Sequence, residues 1–214
     1  MNRGLFIVLE GVEGAGKSTQ AQGLAHWFGE LGIAHRVARE PGGTPVGEAI
    51  RKVVLDRGAL TMPPQTELFL ILGARAAFVR EVVEPALEQG ELLLADRFDL
   101  STFAYQGYGR GLELDDIRQA NELATHGLRP DVYLVLDLEV EAGLERKGGA
   151  ESGDRIEREG AAFLNRVREG YRKLAEEEPR ALLVSAHGSP EEVQTVLRRL
   201  LVERFPETFG VSGV

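Results

Sequence analysis

Residues 6–19 read FIVLEGVEGAGKST, a stretch in which an apolar run passes directly into a glycine-rich loop ending in Lys-Ser-Thr. Within it, residues 11–18 match the pattern Gly-x-x-x-x-Gly-Lys-[Ser/Thr], and helical spacing of apolar residues begins at Lys17. This order predicts a strand, a phosphate-binding loop and a helix. The alternative is a glycine-rich turn that carries a lysine by chance.

Each fixed position of this loop has a chemical role. The glycines allow backbone N–H groups to surround phosphate oxygens, and the positive end of the following helix faces the same anion. Lys17 is expected to reach the β- and γ-phosphates of a nucleotide, and the Ser18 hydroxyl is expected to coordinate Mg²⁺. The residues predicted to bind the nucleotide are Gly11, Val12, Glu13, Gly14, Ala15, Gly16, Lys17, Ser18 and Thr19.

The rest of the chain alternates short apolar runs with longer segments of helical spacing. Such alternation predicts an α/β protein with a five-stranded parallel sheet flanked by helices, in which ligands bind beyond the carboxyl ends of the strands. The predicted strands are residues 5–9, 34–38, 92–95, 132–136 and 181–184. The predicted helices are residues 17–28, 45–55, 65–87, 114–125, 163–177 and 190–205.

Length and composition limit the classes of function. A chain of 214 residues, 43% of them hydrophobic, can form one substantial core, so residues 1–214 are predicted to form a single domain. A net charge of -9 argues against a nucleic-acid or anionic-membrane partner, because such partners are held by extended basic faces. The first apolar run is too short for a signal peptide or a membrane span. The absence of cysteine fits a reducing compartment, and cytoplasm is the expected location.

Two charged residues, Asp96 and Arg97, appear where the third apolar run ends. In a parallel sheet this position faces the ligand, so Asp96 is predicted to hold Mg²⁺, usually through water. The guanidinium of Arg97 is predicted to bridge phosphoryl oxygens and to neutralise charge during transfer. A surface ion pair is the alternative for such a dipeptide considered alone.

Residues 39–44, REPGGT, follow the second apolar run. Arg39 is predicted to clamp a second phosphate, since a kinase must hold an acceptor phosphate and keep water from taking its place. The alternative is an ordinary loop that enters a helix capped by Thr44.

Together, the motifs GVEGAGKST, REPGGT, DRF followed by STFAYQGYGRG, and DRIE resemble the thymidylate kinase family in order and separation, from about residue 6 to residue 171. The resemblance implies a P-loop nucleoside monophosphate kinase fold with a short lid. It also implies phosphoryl transfer from ATP with Mg²⁺ to dTMP, giving dTDP and ADP for dTTP synthesis, by a homodimer.

The same resemblance implies roles for individual residues around dTMP. Glu13 is expected near the sugar, Arg39 and Arg97 on the phosphate, and Phe69 and Arg75 on thymine. Without the resemblance, Phe69 would be interpreted as a core aromatic. Three further residues, Ser101, Tyr105 and Gln106, are expected around the base and sugar. The alternatives for these three are an N-cap serine, a core-edge tyrosine and a solvated amide.

A glycine-rich polar stretch at about residues 146–158 is the predicted lid. Family members place a catalytic arginine either in the phosphate loop or in the lid, and this loop has none. The two arginines Arg146 and Arg155 are therefore the lid candidates, and the alternative is a solvated loop without a catalytic role.

Other functions remain as alternatives at this stage. A UMP or CMP kinase would share the loop and the lid but would need a different base pocket. A GTPase switch would carry an Asn-Lys-x-Asp motif, which the sequence lacks. A non-catalytic nucleotide-binding module would be expected to lack the Asp96 and Arg97 pair.

Overall fold

A five-stranded parallel sheet forms the centre of the molecule, in the strand order β2-β3-β1-β4-β5. The computed structural model describes residues 3–56, 61–146 and 155–210. The strands are β1 (Phe6–Gly11), β2 (His35–Arg39), β3 (Leu92–Asp96), β4 (Val132–Asp137) and β5 (Ala181–Ser185).

Central strand β1 is buried along its whole length, because β3 and β4 pair with its two edges and helices cover the faces of the sheet. This burial explains its continuous apolar sequence, which a strand with one wet face would not show. Leu9 pairs with Asp96 across the first of these ladders, so the loop after β1 and the residues after β3 emerge side by side at the carboxyl edge.

Helices flank the sheet. In chain order the first five are α1 (Lys17–Glu30), α2 (Pro45–Val54), α3 (Pro64–Phe78), α4 (Glu84–Glu88) and α5 (Asp99–Thr102). They are followed by α6 (Leu114–Thr125), α7 (Val140–Arg146), α8 (Ala161–Glu177), α9 (Pro190–Arg204) and α10 (Pro206–Phe209). A π-helical segment, Val79–Val83, joins α3 to α4, a second, Phe103–Gly109, extends α5, and a 3₁₀ turn covers Glu157–Glu159.

The predicted fold class is confirmed: the sheet is parallel, has five strands and is flanked by helices. The predicted helix at residues 65–87 corresponds to α3, the first π-helical segment and α4. Residues 99–109 are helical although no helix was predicted there, because glycines lower the intrinsic helix propensity of this stretch. Tertiary packing compensates: a Cβ at Gly109 would lie 2.7 Å from the ring of Phe163 in α8, so only glycine allows this close approach.

Thr44 caps α2 as the sequence suggested, with its Oγ1 accepting from Gly47 N at 2.9 Å. Most of the predicted lid, residues 147–154, lies outside the described residues. Within the described ranges, no helix is both long enough and apolar enough to cross a membrane.

Helices α1 and α9 pack against each other and against the sheet. Leu197 of α9 is fully buried in the main core, whereas Thr195 of the same helix is exposed. We expect Leu197→Ala to lower the free energy of unfolding by about 2–5 kcal/mol, because it removes buried methyl groups and leaves a cavity. Urea denaturation measures this loss. Thr195→Ala is the matched control, with an expected change within about 0.5 kcal/mol. If both variants lost the same free energy of unfolding, burial of Leu197 would not be what stabilises the packing of α9.

Candidate functional site: a phosphate-binding loop beside an apolar pocket

The loop between β1 and α1 depends on glycine at defined positions. Gly14 has φ 75° and Gly16 has φ 93°, both in the region that side chains disfavour. A Cβ at Gly14 would also lie 2.1 Å from the carbonyl oxygen of Gly143 in α7. The motif glycines therefore serve both the turn of the loop and its packing against α7.

Lys17 occupies the interior of this loop. Its Nζ donates to the carbonyl oxygens of Gly11 at 3.0 Å and Val12 at 2.9 Å. Burial lowers the pKa of Lys17, and the nearby Arg97 acts in the same direction, while Glu13 and Asp96 oppose them. The ammonium group has lost contacts with water through burial, and a bound anion would stabilise its charged form.

Ser18 and Asp96 meet across the β1–β3 edge. Ser18 Oγ donates to Asp96 Oδ2 at 3.1 Å, although the two residues are 78 positions apart in sequence. A hydroxyl and a carboxylate at this distance, beside a phosphate-binding loop, are the oxygen donors that Mg²⁺ uses when phosphates and water complete its coordination. The pair therefore fits the metal role predicted for both residues.

Glu10, the last side chain before the loop, is fully buried. Its Oε1 accepts from the backbone N–H of Phe98 at 2.9 Å and of Ser101 at 3.1 Å, at the start of α5. Its Oε2 accepts from Ser101 Oγ at 2.6 Å and from Tyr171 OH at 3.0 Å. Burial raises the pKa of Glu10, and these hydrogen bonds, together with the charge of Arg97, limit the rise. The carboxylate joins β1 to the residues that follow β3.

Arg97 is a non-glycine residue with φ 75°, a conformation that costs roughly 1–2 kcal/mol. Its guanidinium donates to Gly11 O at 3.1 Å, Ser101 Oγ at 3.2 Å, Tyr105 OH at 3.2 Å and Tyr171 OH at 3.1 Å. It also forms an ion pair with Glu13. A surface pair between Asp96 and Arg97, the simpler alternative, does not describe this mostly buried side chain.

Above the loop lies an open cleft, here called the donor cleft. Its walls include five basic side chains, so the cleft is far more cationic than the chain as a whole, whose net charge is -9. Three acidic residues, Glu13, Glu40 and Asp96, lie among them. The basic residues are Lys17, Arg39, Arg51, Arg97 and Arg146.

Arg39 and Arg146 both line this cleft. Arg39 extends from the end of β2, is half exposed and contacts Glu48 of α2 at 3.2 Å. Arg146 ends α7 and donates to the carbonyl oxygen of Ala186 at 3.1 Å. Both guanidinium groups line this cleft together with Lys17 and Arg97, whereas Arg39, which was predicted to bind the acceptor phosphate, does not line the neighbouring pocket.

Next to the donor cleft is a smaller cavity, here called the acceptor pocket. Part of its wall is apolar, formed by Leu55, Ile71, Phe98 and Ile156. Four residues line both this pocket and the donor cleft, so the two spaces meet at a charged boundary. These shared residues are Glu13, Glu40, Arg51 and Arg97.

Arg75, at the floor of the acceptor pocket, is fully buried, and its donors are already engaged. Its Nε donates to Glu40 Oε2 at 2.9 Å, its Nη1 to Thr102 and Asn121 at 2.8 Å each, and its Nη2 to Phe98 O at 2.9 Å. The same Nη2 lies 2.8 Å from Glu40 Oε2. In this arrangement Arg75 holds the pocket wall together, and contact with a ligand would require it to exchange a protein partner.

Glu40 is the counterion of Arg75, and its Oε1 has no hydrogen-bond partner among the described residues. Burial raises the pKa of Glu40 to about 7, even though Arg75 acts to lower it. Burial therefore favours the protonated form of this carboxyl group, at the boundary of the two spaces.

The structure brings together most of the predicted ligand-binding residues. Glu13, Arg75, Arg97, Ser101, Tyr105 and Gln106 all line the acceptor pocket. Gln106 is buried and donates to Glu67 Oε1 at 2.8 Å, so a solvated amide is the wrong interpretation. Ser101 lies inside α5 and is not an N-cap.

Two predicted residues lie elsewhere. Phe69 is 67% exposed and lines neither the donor cleft nor the acceptor pocket, so both earlier interpretations of it, core aromatic and thymine contact, disagree with its position. Arg155 also lines neither space, because its Nε donates to Val54 O at 2.9 Å and its Nη2 is bound by Glu67.

Helical geometry explains the position of Phe69. Glu67, Ile71 and Arg75 are four residues apart and share one face of α3, whereas Phe69 points about 160° away from Ile71, since two residues rotate the direction by ~200°. Counting back four residues from Arg75 would have identified Ile71 as the pocket residue.

Two further residues were missed by the sequence argument. Arg51 lies on α2 and lines both spaces, and Glu10 anchors α5. A basic residue seven positions after Thr44, on the face of α2 near the REPGGT turn, is a signal that could have indicated Arg51. In the sequence, Glu10 looks like any polar residue at the end of a strand, so no pattern marked it as functional.

Comparison with known proteins gives consistent results. The profile of the family described as thymidylate kinase matches residues 9–197. The thymidylate kinase of Halothermothrix orenii is 48% identical over 194 residues, covering 89% of this chain and 93% of that protein. The thymidylate kinase of Symbiobacterium thermophilum is 45% identical over 210 residues, covering 98% of each. The crystal structure of thymidylate kinase from Ehrlichia chaffeensis matches with a TM-score of 0.77 at 27% identity, covering 93% of this chain and 99% of that one.

The positions of Ile71 and Phe69 can be tested with dTMP, the acceptor that the sequence resemblance implies. We expect Ile71→Ala to weaken dTMP binding by about tenfold, because it removes apolar surface from the pocket wall. Phe69→Ala should change binding by less than about twofold, since this ring lies outside the pocket. Calorimetric titration measures both. A larger loss for Phe69→Ala than for Ile71→Ala would contradict the placement of the pocket.

Proposed function

Because the chain belongs to the thymidylate kinase family, its reaction is ATP-dependent phosphorylation of dTMP in dTTP synthesis, and we propose that the donor cleft binds ATP and the acceptor pocket binds dTMP. The family match decides against a UMP or CMP kinase. The observation that carries the assignment of the two spaces is their shared boundary at Glu13, Glu40, Arg51 and Arg97, where two phosphates would meet.

In the proposed arrangement, the triphosphate of ATP lies on the backbone N–H groups of the loop, with Lys17 at its β- and γ-phosphates. Arg97 and Arg39 hold the phosphate of dTMP. The guanidinium of Arg97 is well suited to this because its backbone and four neutral hydrogen-bond acceptors fix its direction before substrate binds. Because Arg97 is also paired with Glu13, an arriving phosphate would take the place of that carboxylate at the guanidinium.

Phosphoryl transfer here needs no protein nucleophile. An oxygen of the dTMP phosphate attacks the γ-phosphorus in line, the bond to the β-phosphate oxygen breaks, and the products are dTDP and ADP. The enzyme aligns two anions and offsets their repulsion with Lys17, Arg97 and a third cation. The wall that excludes water is formed by the apolar residues of the acceptor pocket.

Arg146 is our candidate for this third cation. It lines the donor cleft at the end of α7, whereas Arg155 is engaged by Glu67 and Val54 outside it. The phosphate loop itself supplies no arginine. Of the two arginines predicted for the lid, Arg146 therefore has the better position to approach the transferring group.

Mg²⁺ fits the pair formed by Ser18 and Asp96, which would hold it through the hydroxyl and, by way of water, the carboxylate. When bound, the ion would neutralise phosphate charge on the donor nucleotide. Ser18 Oγ and Asp96 Oδ2 lie 3.1 Å apart beside the loop, so both oxygen atoms could act on one ion.

Around the nucleoside, we propose that Glu13 contacts the sugar and that Tyr105 crowds the 2′ position, which would favour deoxyribose. Ser101 and Gln106 would form polar contacts around the base and sugar. Both substrates are small molecules, so no basic face is needed for the reaction. A reducing cytoplasm, where nucleotides are made, suits a chain without cysteine.

A homodimer is part of the same proposal. Large apolar side chains are exposed on three helices, in which α2 packs on α3 and α3 on α6. The exposed side chains are Val46 (54%), Val53 (42%), Phe69 (67%) and Leu123 (79%). Exposed apolar side chains on helices that contact one another are a feature of subunit interfaces.

We expect Lys17→Ala and Arg97→Ala each to lower kcat by about 100-fold or more while the fold survives, because each removes a charge that faces the transferring phosphate. A coupled assay with ATP, Mg²⁺ and dTMP measures kcat, and circular dichroism measures folding. Arg199→Ala is the control: Arg199 is an exposed cation on α9, paired with Glu203, and its loss should leave kcat unchanged. Near-normal turnover of either site variant would refute its role.

For the homodimer, we expect the wild-type chain to have the mass of two subunits in size-exclusion chromatography with light scattering. Leu123→Asp should shift the mass toward one subunit, because a carboxylate would be buried at the interface. Leu31→Asp, at the end of α1, should leave the mass unchanged. A monomeric wild-type chain, or equal behaviour of the two variants, would argue against this interface.

A further inference from the structure

Glu67 of α3 is a carboxylate with no exposed surface, located behind the wall of the acceptor pocket. It accepts hydrogen bonds from Gln106 Nε2 at 2.8 Å and from Arg110 Nη2 at 3.0 Å and Nε at 3.2 Å. Arg155 Nη2 forms a further ion-paired hydrogen bond with it. Glu67 does not itself line the acceptor pocket. One buried side chain therefore gathers three donors from distant parts of the chain.

Each of these donors is connected to the pocket wall. Gln106 lines the pocket directly. Arg155 precedes Ile156, a lining residue, and its Nε donates to the carbonyl oxygen of Val54, which precedes the lining residue Leu55. Through Arg155, Glu67 is thus connected to the backbone beside two lining residues, Leu55 after α2 and Ile156.

Arg110 strengthens the same assembly. Besides its fork onto Glu67, its Nη1 lies 2.6 Å from Glu159 Oε1, in the 3₁₀ turn that follows Ile156. The guanidinium of Arg110 also lies over the ring of Phe163, 4.8 Å from its centroid. Two arginines therefore hold the segment around Ile156 to α3, with Glu67 as their common partner.

The charge of Glu67 is maintained by these partners. Burial would raise the pKa of Glu67, but the hydrogen bonds from Arg110, Arg155 and Gln106 outweigh burial and lower it. The carboxylate is therefore ionised at neutral pH. Removing the charge would leave Arg155 without the carboxylate it pairs with and would leave Arg110 with Glu159 alone, so the hold on the segment around Ile156 would weaken.

We propose that Glu67 is a positioning residue for the acceptor nucleoside: without touching dTMP, it sets the shape of the pocket wall through Gln106, Leu55 and Ile156. This inference rests on the proposed assignment of the acceptor pocket to dTMP. The position of this wall determines how tightly the nucleoside binds. Glu67 should not affect the donor cleft, because none of its hydrogen-bond partners lines that cleft.

The test is steady-state kinetics of Glu67→Gln with dTMP and ATP varied in turn. We expect the KM for dTMP to rise about tenfold, the size of one lost charged hydrogen bond, while the KM for ATP and kcat change by less than about threefold. Asp115→Asn is the matched control, because it also removes a carboxylate paired with an arginine, but on the exposed surface of α6. It should change none of the three constants.

Arg155→Gln is the second variant, useful if Glu67→Gln does not fold. It removes one of the three donors, so the KM for dTMP should rise several-fold with the KM for ATP unchanged. If Glu67 acts through Arg155, the double variant should lose less than the product of the two single losses. Fully multiplicative losses would overturn the proposed route.

Two outcomes would overturn the inference itself. An unchanged KM for dTMP in both variants would show that Glu67 does not shape the pocket. Equal losses for both substrates, or a large loss of kcat alone, would assign a general structural or catalytic role. Failure of the proposed function is a separate outcome. In that case Ile71→Ala would bind dTMP as tightly as the wild-type enzyme does, whatever the behaviour of the Glu67 variant.

Discussion

The parallel hydrogen-bonded register between β1 and β3 is the constraint on which the site depends. It pairs Leu9 with Asp96 and lets Arg97 N–H donate to Leu9 O at 2.9 Å. A slip of one residue would turn Asp96 away from Ser18 and put Ala95 or Arg97 in its place, because side chains alternate between the two faces of a strand. Two motifs 80 residues apart therefore become one site through backbone pairing.

Glu10 adds a second link at the same edge. A buried carboxylate is costly, and this one is stabilised by two backbone N–H groups at the start of α5 and by two hydroxyl groups. Through these hydrogen bonds, the Glu10 carboxylate holds the turn in which Arg97 adopts a left-handed backbone conformation. The strain at Arg97 is thus supported by neighbours on β1, α5 and α8, which is how sites keep a side chain in one direction before ligand binds.

The basic side chains around the site fall into two groups with different partners. The chain is acidic overall, but five basic side chains line the donor cleft, and Arg75, Arg110 and Arg155 are paired with buried carboxylates around the acceptor pocket. The first group is arranged to meet phosphate. The second group builds the wall that holds the uncharged nucleoside. Arginine therefore has two uses here, and only its partners in the folded chain distinguish them.

Sequence alone determined the fold class and the phosphate chemistry, because both depend on local patterns. Alternating apolar runs specify a covered parallel sheet, and residues that follow such runs, including Lys17, Ser18, Asp96 and Arg97, must emerge at one edge. The approximate limits of the five strands could also be read from the chain. The helix at residues 99–109 could not, since contact with α8 stabilises it despite its glycines.

Only the tertiary structure decided which face of each helix meets the ligand. Periodicity shows that Glu67, Ile71 and Arg75 share a face of α3, but the neighbours of α3 determine that this face, and not the one bearing Phe69, borders the pocket. The same holds for Arg51, Arg146 and Arg155, whose partners lie far away in sequence. A helix pattern specifies spacing, whereas orientation is set by packing against elements that the pattern does not contain.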